Sequence, residues 1–174
     1  MVICGEGATR EEKYPGVNQR EKQTYYGAVN YLTKQFVLRE YATANSENTV
    51  AFLKDLQSLN PEATHLIIWD GASYHKYKHM KAYLEEINQG KERDEWSLTC
   101  VLFAPNAPEQ NPVEDIWLHA KTWVRKFGNR LSSFALVKWF FNFTIQSQSF
   151  DFLKLHKFGI FEPTLNGTAA RSNP

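Results

Sequence analysis

Cysteine is scarce in this sequence: Cys4 and Cys100 are the two it has. Neither sits in a CxxC pair, so no zinc module or disulfide framework is indicated, and a reducing compartment fits. A dominant sign of charge is lacking too. Lys and Arg number 20 against 19 Asp and Glu, a formal net charge of +1. Any basic surface must therefore come from local arrangement. No apolar run approaches the ~20 residues of a membrane span. The opening stretch MVICGEGATREEK has an apolar part of only a few residues, which excludes signal-peptide architecture. A soluble cytoplasmic protein is the expectation. Internal repeats and low-complexity segments are absent as well.

What is present is enough for one domain with a real core: 174 residues, 43% hydrophobic and 14% aromatic. Residues 5 to 22 are polar and contain glycine, and read as loop. The stretch TYYGAVNYLTKQFVLREY holds two alternating runs around Leu32-Thr33-Lys34-Gln35, the pattern of a β-hairpin. NSENTVAFLKDLQSLNP follows as a helix, capped by Asn45 or Ser46, with Val50, Leu53, Leu56 and Leu59 at helical spacing and Asn60-Pro61 as its stop. THLIIW is a short continuous apolar run, as in a strand buried on both faces, and it ends at Asp70-Gly71.

A second helix places Tyr77, Met80, Leu84 and Ile87 on one face, and Gly90 ends it. After the charged connector KERDEW, LTCVLF reads as another short buried strand. Asn111-Pro112-Val113-Glu114 then has the chemistry of a helix start: Asn as cap, Pro at the first position, Glu at the third. The helix it opens carries the apolar stripe Val113, Ile116, Trp117, Ala120, Val124 and Phe127. Residues 131 to 153 form a further aromatic-rich helix, and the tail past Pro163 is small and polar. Strands alternating with helices imply an α/β fold with parallel pairs joined by crossovers.

Two carboxylates stand out. Asp70 directly follows an apolar strand, and ligand sites in open α/β sheets gather at the carboxyl ends of strands. Glu114 opens the helix after the next strand, so both acids can reach one end of the sheet. Two such carboxylates suit Mg²⁺ or Mn²⁺, which take oxygen ligands. Paired metals clamp the attacking and leaving oxygens of a phosphodiester. Each acid also has a plainer use: Asp70-Gly71 as a turn, and Glu114 as the far half of a capping box.

Lys121 and Arg125 lie on the flank of the stripe with Glu114. Lys121, seven residues on, is ~10.5 Å along the axis at 1.5 Å per residue. That is too far for a tight ion pair and suits phosphate contacts beside a metal. His75 and Lys76, just after Asp70, offer further phosphate contacts, though a solvated basic face is equally ordinary. His75 and His79 are one turn apart, but no third ligand has zinc-site spacing.

Taken jointly, LIIWDGASYHKYKHMKAYLEE, LTCVLFAPNAPEQNPVEDIWLHAKTWV and their order resemble the catalytic core of DDE-superfamily transposases, in the mariner-like branch of bacterial insertion sequences. The residues that carry the resemblance are Asp70-Gly71-Ala72-Ser73-Tyr74-His75, then Asn111-Pro112-Val113-Glu114 with Trp117 and Lys121, and it covers roughly residues 23 to 130. It implies a ribonuclease-H-like mixed sheet flanked by helices, and metal-dependent DNA strand cleavage and transfer. Asp70 and Glu114 would be the second and third acids of the triad, binding Mg²⁺ or Mn²⁺. Asn111 and Pro112 would position the helix, and His75, Lys76, Lys121 and Arg125 would meet DNA.

Two departures from the family pattern follow. Between Asp70 and Glu114 lie 43 residues, more than is usual, and the polar stretch from Asn88 to Trp96 absorbs the excess. No Asp occupies the place of the first acid, whose strand is expected upstream of Met1. Glu6, after the run Met1 to Cys4, is a weak substitute. The helix-turn-helix that would read transposon ends is not in the sequence either.

The chain thus reads as a single truncated catalytic domain over 1–160 with a flexible tail over 161–174, a fragment lacking its first strand and first acid. It would be marginally stable, with a second transposase half or a homodimeric partner beside DNA. The competing reading is a non-catalytic nucleic-acid-binding or interaction module on the same scaffold, or an inactive remnant.

Overall fold

The computed structural model describes residues 2–8, as backbone, together with 21–69, 78–103 and 111–146. Along the chain come β1 (Val2–Ala8), β2 (Thr24–Asn30), β3 (Phe36–Tyr41), α1 (Ser46–Leu59), β4 (His65–Trp69), α2 (Lys78–Asn88), β5 (Leu98–Leu102), α3 (Pro112–Phe127) and α4 (Phe134–Gln146). The strands form one mixed sheet in the order β3-β2-β1-β4-β5. β1 is its centre, antiparallel to β2 and parallel to β4, while β4 runs parallel to β5.

The centre of the sheet corrects the expectation of a missing first strand. Val2–Ala8 supplies it, and residues 5 to 8, read as loop, belong to the strand. Two glycines and a glutamate give VICGEGA poor strand propensity, but its backbone hydrogen-bonds to neighbours on both sides. With β1 in place β2 and β4 are both paired on their inner sides, and the described sheet has no bare central edge.

The hairpin forms where expected. Asn30 holds its turn by accepting from the backbone N–H groups of Leu32 at 2.9 Å and Thr33 at 3.1 Å. Lys34 takes the left-handed conformation there, with φ 61°. α1 is capped by Asn45, whose side chain accepts from the Asn48 N–H at 2.8 Å. Phe52, Leu53 and Leu56 are its buried face, and Leu59, counted in the stripe from sequence, is exposed.

Helices cover both faces of the sheet. Tyr25 and Val29 of β2 pack with Val113, Ile116, Trp117, Ala120 and Val124 of α3 and Val137, Phe141 and Ile145 of α4. On the other face Tyr26 and Ala28 join Ile67 and Trp69 of β4 with α1 and α2. Gly27 faces α3: a Cβ there would lie 2.6 Å from the Trp117 ring. The strand needs glycine at that position so that the indole can lie on the sheet. β5 also departs from expectation. It is an edge strand, with Val101 and Leu102 45% and 49% exposed, not a strand covered on both faces.

Candidate active site

β4 and β5 end side by side, and the Phe103 N–H donates to the Trp69 carbonyl at 2.9 Å. Asp70 is next in sequence after Trp69. Asp70, His75 and Lys76 lie outside the described residues, so the expected meeting of Asp70 with Glu114 lies outside them too.

The start of α3 is described from Asn111 onward. Asn111 is buried with φ −90° and ψ 101°, and its Oδ1 accepts from the Val113 N–H at 3.1 Å. Its carbonyl accepts from the Glu114 N–H at 3.2 Å. Pro112 takes the first helical position, where its missing N–H costs nothing, and is buried. Val113, Ile116 and Trp117 then lock into the core at 0–1% exposure. The helix start is therefore fixed from both sides, by a cap and by packing. Glu114 stands exposed in this first turn, with Asp115 beside it. Positive charge from the helix dipole favours carboxylates at that end.

Below it, α3 rests on the middle of the sheet. Trp117, one turn beyond Glu114, lies against Gly27, and Gly27 pairs with Gly5 of β1. The next residue of β1 is Glu6, in register with Tyr26. Tyr26 packs on the opposite face, with α1 and α2, so the position of Glu6 on β1 belongs to that face and not to the one α3 covers. Further along α3, Lys121 is half-buried and Arg125 exposed. His79, one half of the weak His75/His79 metal idea, instead lies 3.8 Å from Glu47 of α1. Among the described residues no group of three His, Cys, Asp or Glu could hold a metal ion.

A family model described as DDE superfamily endonuclease matches residues 6–136. The chain belongs to the DDE superfamily of endonucleases. The match begins at the very residue, Glu6, that lies on β1. No curated protein matches the chain. Among solved structures, a chain of the simian T-cell lymphotropic virus intasome in complex with the PP2A regulatory subunit B56 gamma aligns at TM-score 0.57 and 9% identity. That alignment covers 80% of this chain and 46% of the other, so the chain spans about half the length of that relative. The HTLV-2 integrase catalytic core domain, in complex with magnesium in a dimeric form, aligns at TM-score 0.51 and 9% identity over 84% and 83% of the two chains. At these identities the likeness is one of fold: a ribonuclease-H-like mixed α/β domain of the integrase-core type. Among the described residues no helix is long and apolar enough to cross a membrane.

Proposed function

We propose that this chain is the catalytic domain of a transposase of the mariner-like insertion-sequence branch, cutting and joining DNA strands with Mg²⁺ or Mn²⁺. Residues 1–160 make up the domain and 161–174 its tail. DNA is the partner, with a second copy of the chain as in the dimeric integrase core, and the cytoplasm is the compartment. The observation that carries the reading is the start of α3. Asn111 and Pro112 fix it, and Glu114 stands exposed in its first turn.

Glu114 and Asp70 are assigned as the metal ligands. Carboxylate oxygens are the donors that hard divalent ions take, so this donor set fits the group. Glu6 is not assigned with them: its register partner Tyr26 packs on the α1–α2 face of the sheet, opposite the face that α3 covers. Bound by Glu114 and Asp70, the ion supplies charge that polarises the phosphodiester and lowers the pKa of the attacking water. Asn111 aims Glu114 by holding the first turn. His75, Lys76, Lys121 and Arg125 contact the phosphates on either side, with Lys121 ~10.5 Å from Glu114 along the axis.

The test is nicking of supercoiled plasmid by the purified chain, with Mg²⁺, with Mn²⁺ and with chelator. Nicking is expected only with metal, and Asp70→Asn and Glu114→Gln are each expected to lower it by about a hundredfold or more, the scale of losing a group that acts on the transition state, while Glu6→Gln is expected to nick like the parent. Nicking that survives both Asp70→Asn and Glu114→Gln overturns the assignment. Loss of nicking in Glu6→Gln would bring β1 into the site as the source of a third acid. Metal-independent, salt-dependent DNA binding without nicking favours the second reading, a binding module in which Glu114 only caps its helix.

A further inference from the structure

Charge is distributed unevenly along this nearly neutral chain. From Ile116 to Gln146, most of α3 through the end of α4, there is no Asp or Glu, and there are five cations: Lys121, Arg125, Lys126, Arg130 and Lys138. The rest of the chain holds 15 cations against 19 acids and is net negative. Lys138 is committed to Glu40 at 2.7 Å.

Aromatic rings are interleaved with these cations. On α3, Trp123 and Phe127 stack with centroids 5.6 Å apart and planes within 3°. The Lys126 ammonium lies 5.0 Å from the Trp123 centroid and the Arg130 guanidinium 5.7 Å from that of Phe127. Phe127 meets Phe140 of α4 edge to face at 5.5 Å. Beside Phe140, Trp139 and Phe143 form a second stack, 5.4 Å apart and within 12° of parallel. These two rings are 59% and 51% exposed, while Val137, Phe141 and Ile145 on the opposite side of α4 are buried.

Two large rings exposed at successive turns make an apolar patch of the kind that marks an interaction site. A second copy docking face to face is disfavoured by charge. A two-fold contact would set Lys126 and Arg130 against the same cations of the other copy, and Glu40, the acid that meets α4, is already held by Lys138 and Asn142. A polyanion with flat apolar faces satisfies both features at once. Unpaired nucleic acid has phosphates for Lys126 and Arg130, and bases that stack on exposed rings without regard to sequence. Duplex DNA keeps its base faces inside and would use only the cations.

We propose that the α3–α4 pair is a docking surface for single-stranded DNA, with Trp139 and Phe143 as its stacking platform and Lys126 and Arg130 as its phosphate contacts. The choice of DNA among polyanions rests on the function proposed above. The surface itself needs none of the assigned carboxylates.

Fluorescence anisotropy of a labelled 20-nucleotide oligothymidine, titrated with the full chain in chelator at several salt concentrations, tests it. Binding is expected to be salt-dependent. Trp139→Leu/Phe143→Leu should weaken it by about tenfold or more, from the stacking worth of each ring. The same change should leave binding to a duplex of equal length within about twofold. Lys126→Gln/Arg130→Gln should lower the salt slope by about 1.4. If the aromatic pair proves needed for folding, quenching of tryptophan fluorescence by the oligonucleotide, lost in Trp139→Phe, reports the same contact. Unchanged affinity in the aromatic variant overturns the proposal, and so does equal preference for the duplex. Concentration-dependent dimerisation abolished by that variant also overturns it, in favour of a second copy. Asp70→Asn and Glu114→Gln should bind the oligonucleotide like the parent, so loss of nicking and loss of docking are separate failures.

Discussion

Gly27 and Asn111 do their work through a single atom each, one missing and one present. Gly27 lacks the Cβ that would lie 2.6 Å from the Trp117 ring. Gly27→Ala forces that ring or the strand to shift, and overpacking of this kind costs roughly 1–3 kcal/mol. A fall in the thermal midpoint is expected, and an unchanged midpoint would show that the indole can move. Asn111 supplies the Oδ1 that caps α3 at 3.1 Å. Asn111→Ala should cost about 1 kcal/mol of stability, the ordinary worth of a cap. If the cap also aims Glu114, nicking should fall further than that loss explains, and recovery in Asn111→Asp would tie both effects to the cap. The cap was legible in the four letters Asn-Pro-Val-Glu, since capping is local chemistry. Gly27 was not legible as a contact, because its partner Trp117 is 90 residues away in sequence. Cys100 adds a third residue-scale case. Burial pushes its thiol up to about 12. It should stay protonated and unreactive toward thiol reagents at pH 8 in the native protein, tested in a Cys4→Ser background. Rapid native-state labelling would show that it is open to solvent.

Among the elements, those with a strong local pattern were read correctly. α3 carries its stripe in sequence and buries Val113, Ile116, Trp117, Ala120 and Val124. β1 and β5 were misread for opposite reasons. β1 looks like loop, and its strand character comes from partners on both sides. β5 looks buried because it is apolar, yet it sits at an edge, and no local pattern reports strand order. The attachment of α4 to the sheet was equally invisible. Glu40 of β3 accepts from Lys138 at 2.7 Å and from the Asn142 side-chain amide at 2.7 Å, across about a hundred residues. Burial raises the Glu40 carboxyl, but the hydrogen bonds from Lys138 and Asn142, with the Lys138 charge, outweigh it and leave the pKa below its usual 4.5. A carboxyl depressed in the folded state adds stability that is full above its unfolded value and is lost as pH falls through the folded one. Lys138→Met should therefore lower the thermal midpoint at pH 7, with the gap closing below about pH 4.5. A gap that stays constant with pH would mean that Lys138 acts through its aliphatic stem alone.

At the scale of the whole molecule, stability turns on one seven-residue strand. β1 is the only element of the sheet that joins the β2–β3 hairpin to the parallel pair β4–β5. Without it the hairpin has lost its only sheet neighbour, and β4 presents a bare edge. α3 packs on β1 as well as on β2, so its footing would go at the same time. The sequence alone led to the opposite emphasis, a chain whose first strand lay elsewhere and whose fold was marginal. With β1 in place the intact chain should unfold in one cooperative transition, as single domains of this size do. A chain beginning at Thr24 should show no cooperative transition and should expose its apolar core to a hydrophobic dye. Adding the peptide of residues 1–23 in excess should restore part of the transition, since a segment that binds only the folded form stabilises it by mass action. A sharp melt of the shortened chain by itself would show that the other four strands and their helices form a sufficient core. In that case β1 would add to the sheet without being required for the fold.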